Sequence, residues 1–238
     1  GYTLVYAPGS TTMMAPHLVK RPDLDPLKVL TPVAATGRVS LYLVVTPGLP
    51  AANLAEFLGY ARANPGKLNY GTPGNGTSPH IATEVFAREA KIQVTHVPYK
   101  GAGPALKDLL GGQISIFFGD VSTSVPPVRA GKLKGFAVSG LKRSPLAPDL
   151  PTIDESGLKG YELTAWFAAY APAKTPMPII EKLNAAFREA LADKDVSSKL
   201  LAAGIEPETS TPDELRKFQA AETQKWDKIA RDAKIEKE

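Results

Sequence analysis

Short runs of leucine, β-branched and aromatic residues alternate along this chain with segments whose apolar residues recur every three or four positions. Glycine or proline separates them. Such a chain buries each strand face under a helix, so the expected class is α/β with largely parallel sheets. Residues 41–45 (Leu41, Tyr42, Leu43, Val44, Val45) read as a buried strand. Leu54, Phe57, Leu58 and Ala61 then share a helical face, and Asn64, Pro65 and Gly66 stop that helix. Residues 67–70 read as a short strand and residues 71–77 as a loop. Ser78 and Pro79 read as N-cap and first-turn proline of a helix with Ile81, Val85 and Phe86 inward. The plan repeats with strand 92–97, loop 98–103, helix 104–110 and strand 114–118. A loop from Gly119 leads into a helix ending near Gly131, and strand 133–138 follows.

Residues 143–160, rich in Pro, Asp and Gly, read as loop, and residues 161–171 as an apolar extended run. Helices then dominate. One starts at Thr175 and Pro176 with Ile179, Ile180, Leu183, Phe187 and Leu191 inward, and Gly204 closes a shorter one. Thr211 and Glu214 form a capping box that opens the last. Its Leu215, Phe218, Trp226 and Ile229 are spaced to pack onto another lobe.

The 238 residues suffice for one or two domains. A net charge of +4, scattered among acidic residues, does not mark a nucleic-acid surface. The absence of cysteine excludes disulfides, thiol nucleophiles and thiolate metal sites. No apolar run approaches the ~20 residues that cross a bilayer, so no membrane insertion is expected. The chain opens at once into a strand-like run at residues 3–6 with no signal peptide, which reads as the interior of a domain and makes truncation the expectation.

The loop between strand and helix at Gly71, Thr72, Gly74, Asn75, Gly76, Thr77 and Ser78 carries the chemistry. Glycines admit positive φ and close approach, and the N–H groups of a helix N-terminus attract an anion. The hydroxyls and the amide add neutral hydrogen-bonding groups. This points to a carboxylate or phosphate held without a formal countercharge, although such loops also serve turn geometry alone. Gly71, Gly76 and Ser78 fit phosphate-loop spacing, but Thr77 replaces the lysine that neutralises a nucleotide's phosphates, which argues against an NTPase.

Three further loops follow strands: residues 7–12 with Ser10 and Thr11, residues 97–101 with Tyr99, Lys100 and Gly101, and residues 119–122 with Asp120. In α/β sheets ligands bind beyond the carboxyl ends of strands, so a shared site is expected. Signals for catalysis are weaker. His17, His80 and His96 are far apart and without metal-binding spacing, no nucleophile elbow or zinc-protease helix occurs, and Asp120 reads equally as a cap.

The segments 64–71, 74–80, 96–101, 108–113, 129–133, 150–153 and 156–158 together resemble the substrate-binding proteins of tripartite tricarboxylate transporters, the Bug-type periplasmic receptors. The resemblance implies a two-lobed periplasmic-binding-protein (Venus flytrap) fold, its first lobe incomplete at the N-terminus. Residues 1–44 and 165–238 would form lobe one and residues 45–164 lobe two. It implies a receptor rather than an enzyme, periplasmic, with no cofactor and no metal. The implied ligand is a small carboxylate: a di- or tricarboxylate, an acidic amino acid or an aromatic acid. The implied partners are the permease subunits of the transporter. Mapped onto this sequence, the ligand residues would be Ser10 and Thr11 in lobe one, with Gly71, Thr72, Gly74, Asn75, Gly76, Thr77, Ser78, Tyr99, Gly101 and Asp120 in lobe two. Gly119 stands where many relatives carry a loop aspartate. The alternatives are a ligand-sensing or non-binding family remnant and an enzyme acting on small carboxylates.

Overall fold

The structure, a computed structural model, describes residues 3–9, 11–12 and 25–232. The chain forms two compact units, Gly1–Val39 with Ala165–Glu238, and Ser40–Thr164. Unit 1 carries a four-stranded sheet in the order β1-β8-β2-β9, formed by β1 (Val5–Pro8), β2 (Leu30–Ser40), β8 (Thr164–Pro172) and β9 (Glu206–Pro207). β1 runs antiparallel to β8, and β9 antiparallel to β2. A short helix α1 (Pro26–Val29) precedes β2.

Unit 2 carries a five-stranded sheet in the order β5-β4-β6-β3-β7. Its strands are β3 (Tyr42–Val45), β4 (Leu68–Thr72), β5 (Val94–Pro98), β6 (Ile116–Gly119) and β7 (Lys134–Val138). β4 is parallel to β5 and β6, whereas β3 is antiparallel to both its neighbours. The expectation of largely parallel sheets therefore holds for four strands of unit 2 and is corrected for unit 1 and β3. Only Leu41 separates β2 from β3, which belong to different sheets.

β3 and β6 are buried throughout because helices cover both faces of this sheet. Phe117 packs with Ala105 and Leu109 of α4 (Ala102–Leu110) and Val125 of α5 (Val121–Arg129). Its neighbour Phe118 points to the other face. There it meets Phe86 of α3 (Ser78–Ala90) edge-on, and Phe86 in turn stacks on Phe57 of α2 (Leu54–Ala63). Full burial of such a ring contributes about 1.5–3 kcal/mol. Truncating Phe118 to alanine would cost about 3–5 kcal/mol, measurable by urea unfolding. Gly140 lies where unit 2 begins and ends: a Cβ there would stand 3.2 Å from Ser40 Oγ and 3.6 Å from the Thr164 methyl.

In unit 1, Val33, Ala34, Ala169 and Ala171 bury Ile180 of α6 (Met177–Ala192), with Leu183 and Phe187 packed alongside. Ile179, expected inward, is exposed. Asn184 takes a buried place on that helix instead. β9 is too short to cover the edge of β2, and side chains complete it. Ala35 N–H donates to Ser210 Oγ at 3.0 Å, and the Asn184 amide donates to the carbonyls of Val33 and Ser210, both at 2.8 Å. Helix α7 (Lys194–Ala202) follows α6, and the capping box of α8 (Pro212–Asp232) forms as expected. Thr211 N–H donates to Glu214 Oε2 at 2.8 Å, and Glu214 N–H to Thr211 Oγ1 at 3.2 Å. Leu215 is buried and Phe218 meets Trp166 edge-on, both within unit 1, whereas the side chains of Trp226 and Ile229 lie outside the described residues.

Candidate functional site

Because β5, β4 and β6 are adjacent and parallel, their carboxyl ends (Pro98, Thr72 and Gly119) lie together at one edge of the unit 2 sheet. The loops after β4 and β5 are tied together there. Tyr99 N–H donates to the Thr72 carbonyl and Gly101 N–H to the Pro73 carbonyl, each at 3.0 Å. The loop after β4 turns on two glycines with positive φ, Gly74 at 147° and Gly76 at 71°, and Gly101 has φ of 108°. L-residues rarely adopt these conformations. Asn75 is exposed at the tip.

Gly71 and Thr72 belong to β4, not to the loop in which the sequence reading placed them. A Cβ on Gly71 would stand 2.3 Å from Ile114 Cδ1 and 3.3 Å from the Tyr99 ring, so a side chain there would have to displace Ile114 in the core. Thr72 is fully buried. Its hydroxyl donates to the Gly74 carbonyl (3.2 Å), accepts from Gly74 N–H (3.3 Å) and lies 2.7 Å from His96 Nε2. The N-cap of α3 is Thr77, not Ser78, and Pro79 occupies the second helical position. The Thr77 hydroxyl turns back to donate to the Gly74 carbonyl at 2.8 Å, which tightens the loop rather than capping the helix. First-turn N–H groups have no partner within their own helix, so the start of α3 presents donors beside this loop.

Tyr99 is half-buried and donates to Asp108 Oδ2 at 2.7 Å. Desolvation first, then that hydrogen bond and the carboxylate's charge, push its phenol up to about 12. Lys100 is exposed. Helix α4 begins at Ala102 behind Gly101, two residues earlier than the sequence suggested. Asp120 is the N-cap of α5. Its Oδ1 accepts from Thr123 N–H (2.9 Å), Thr123 Oγ1 (3.0 Å) and Ser122 Oγ (2.7 Å). At Gly119 a Cβ would lie 2.4 Å from Ser124 Oγ and 2.6 Å from the Phe117 ring, so this chain has no room for a side chain there.

In unit 1, Ser10 lies outside the described residues, and Thr11 is exposed. Gly9, beyond β1, approaches the Trp166 ring so closely that a Cβ would stand 2.6 Å from it. Thr12 is buried, with its hydroxyl 3.4 Å from that of Tyr170. Unit 1 also holds a cavity of about 300 Å³ lined by Arg38, Trp166, Glu208, Ser210, Leu215 and Phe218. Arg38 meets Glu208 there as a fork, Nε at 2.9 Å and Nη2 at 2.6 Å. None of the residues singled out as ligand groups lines it.

The sequence reading separated His80 from His96, and the structure stacks them. Their ring centroids are 4.1 Å apart and their planes nearly parallel, at 11°. Tyr70 continues the stack 4.8 Å from His96, and its hydroxyl donates to Glu84. Gly76 N–H donates to His80 Nδ1 at 3.1 Å. Desolvation lowers the pKa of both rings. The positive charge of a protonated His80 lowers that of His96 further, and Glu84 opposes the shift in both. His17 lies outside the described residues. Among the described residues no cluster of three His, Asp or Glu side chains could hold a metal ion, and no helix is long and apolar enough to cross a membrane.

Residues 1–235 match the tripartite tricarboxylate transporter family receptor. The protein BugT of Bordetella pertussis is 34% identical over 235 residues, which are 98% of this chain and 72% of BugT. A Pseudomonas sp. protein described from the tcbD-tcbE intergenic region is 34% identical over 83% of this chain, which spans 59% of that relative's length. Among solved structures, R. palustris Rpa4515 with adipate superposes with a TM-score of 0.81 at 34% identity, covering 97% of this chain and 77% of that one. MatC from Rhodopseudomonas palustris with bound malate gives 0.75 at 32% identity, covering 95% and 78%. The α/β architecture with two sheets is thus that of two-lobed periplasmic binding proteins. The chain belongs to the tripartite tricarboxylate transporter receptor family.

Proposed function

We propose that this chain is the ligand-holding part of a periplasmic receptor that binds a small carboxylate and hands it to the permease subunits of a tripartite tricarboxylate-type transporter. It acts by binding rather than turnover. The observation that carries this reading is the junction after β4. Two positive-φ glycines fold the loop against the start of a helix, and the neighbouring loop is tied to it through Tyr99 and Gly101. Such a junction offers backbone N–H groups and a helix dipole to an anion with no fixed cation in the cradle. On this reading Gly74, Asn75, Gly76, Thr77, Ser78 and Gly101 line the carboxylate, and the N–H groups of Asn75, Thr77 and Ser78 are its donors, since those of Gly74, Gly76 and Gly101 already bond to Thr72 Oγ1, His80 Nδ1 and the Pro73 carbonyl. Gly71, Thr72 and Tyr99 hold the loops that do so, and Asp120 fixes the neighbouring loop after β6.

The neighbours solved with adipate and malate support a dicarboxylate as the ligand class. The test is a thermal-shift and calorimetry series with adipate, malate, tricarboxylates, acidic amino acids and aromatic acids, with adipamide as uncharged control. A true ligand at 100 times its Kd raises stability by about 2.7 kcal/mol. If no acid shifts the transition, or adipamide shifts it as far as adipate, the reading is wrong.

A further inference from the structure

The backbone N–H of Gly76 sits within the proposed anion loop, yet it donates to a side chain, His80 Nδ1, at 3.1 Å. A ring nitrogen can accept only when unprotonated, so this bond fixes His80 as the neutral tautomer with its proton on Nε2. The ring cannot swing away freely, because His96 stacks on its face at 4.1 Å and Tyr70 lies beyond His96. His96 is anchored in turn by Thr72, whose hydroxyl grips both the N–H and the carbonyl of Gly74. Both ends of the glycine turn are thus pinned to one stacked histidine pair, Gly76 by His80 and Gly74 by His96 through Thr72.

We propose that the neutral His80–His96 pair is the latch that shapes the Gly74–Thr77 loop for anion binding, so that taking up a proton unlatches the loop and weakens carboxylate binding. This rests on the reading above that the loop binds a carboxylate. A proton on Nδ1 sets two donors, His80 and Gly76 N–H, against each other. It also places a cation on the third residue of α3, at the helix end where the dipole opposes positive charge. The charged and titratable groups facing the ring are His96 on β5, Tyr70 on β4 and Glu84 one turn along α3. Glu84 favours the proton, but its carboxylate already accepts from Tyr70, and burial of both rings favours the neutral pair. His80 is therefore a positioning residue that acts through Gly76.

Two measurements test the latch. In the ligand-free chain, the Gly76 amide resonance is followed by NMR between pH 8 and pH 5 together with the ring nitrogens of His80. The latch requires the amide to move with the titration of the ring, and an amide indifferent to it overturns the proposal. In calorimetry with adipate and malate, exclusion of one proton from the bound form lowers affinity by up to about tenfold per pH unit below the pair's titration. The acids' own ionisation is common to the parent and to His80→Asn, whose Oδ1 can accept from Gly76 without titrating. The difference between the two curves is the readout, with binding rescued in His80→Asn and weak at every pH in His80→Leu. Parallel curves overturn the latch. Affinity that rises on acidification in the parent alone also overturns it, since His80 would then be a cationic ligand. If neither acid binds at any pH, the carboxylate reading fails, and the NMR titration still decides whether His80 latches the loop.

Discussion

Replacing Asn184 with leucine isolates the contribution of one side chain to unit 1. Leucine is close to asparagine in length, suits the helical backbone better, and cannot donate. In the parent, Asn184 Nδ2 donates to the Val33 carbonyl on β2 and to the Ser210 carbonyl, both at 2.8 Å, where β9 is too short to pair. Losing the donor strands a buried acceptor at Val33, which costs about 1–3 kcal/mol, and a partly hydrated one at Ser210, which costs less. A better helix former returns a few tenths of a kcal/mol. The expected net loss is about 2–3 kcal/mol, and at roughly 2–4 °C per kcal/mol for a chain this size the melting temperature falls by about 4–12 °C. Urea unfolding followed by circular dichroism measures it. The Ala35 amide, whose acceptor Ser210 Oγ shares this network, should lose hydrogen-exchange protection at the same time. A variant within about 0.5 kcal/mol of the parent, the range of an ordinary surface substitution, would show that the edge of β2 does not depend on Asn184.

Gly71→Ala places a methyl against Ile114 in the core and should cost about 1–3 kcal/mol, while Gly59→Ala, inside α2 with nothing within 4 Å, should gain about 0.5–1 kcal/mol; chemical unfolding of the pair shows whether close approach or chain flexibility explains each glycine. Asp120→Ala removes the cap of α5 and should cost about 1 kcal/mol, whereas Asp120→Asn should stay within a few tenths; equal losses in urea would mean that the carboxylate charge matters and not the cap. Glu214 has its pKa lowered by the hydrogen bonds from Thr211 N–H and Oγ1, so it stabilises the fold above the ordinary glutamate value of 4.5 and loses that as pH falls through the lower folded value; Glu214→Gln should flatten acid unfolding of α8 in that window, and an unchanged acid limb in hydrogen exchange would refute the assignment.

The features legible in the sequence are those whose causes are local. The helix over Leu54–Ala63 is fixed by its apolar spacing and by the stop at Asn64, and the capping box of α8 needs only Thr211 and Glu214. The misread features depend on partners far along the chain. Gly71 resembles a loop glycine until Ile114 arrives beside it, and Asn184 breaks an apolar face because its acceptors belong to residues 33 and 210. The stack of Tyr70, His96 and His80 follows from a parallel register that pairs Tyr70 with His96. Spacing along the chain carries no trace of that register. Asp120 is legible as a cap, but the three hydrogen bonds that occupy its Oδ1 are not, since the fold of the turn brings those donors together.

The crowding around Gly140 has a consequence for the order of assembly. Unit 2 is one continuous stretch, whereas unit 1 needs segments from either side of it. With the stretch unfolded, uniting those segments means closing a loop of more than a hundred residues, and such non-local pairing slows folding. Once unit 2 is folded, Ser40 and Thr164 both lie against Gly140, so the incoming and outgoing chains emerge side by side. The search then shrinks to that of a short hairpin, and β2 and β8, the strands that leave from those two residues, are neighbours in the sheet of unit 1. Unit 2 is therefore expected to form before unit 1 is completed.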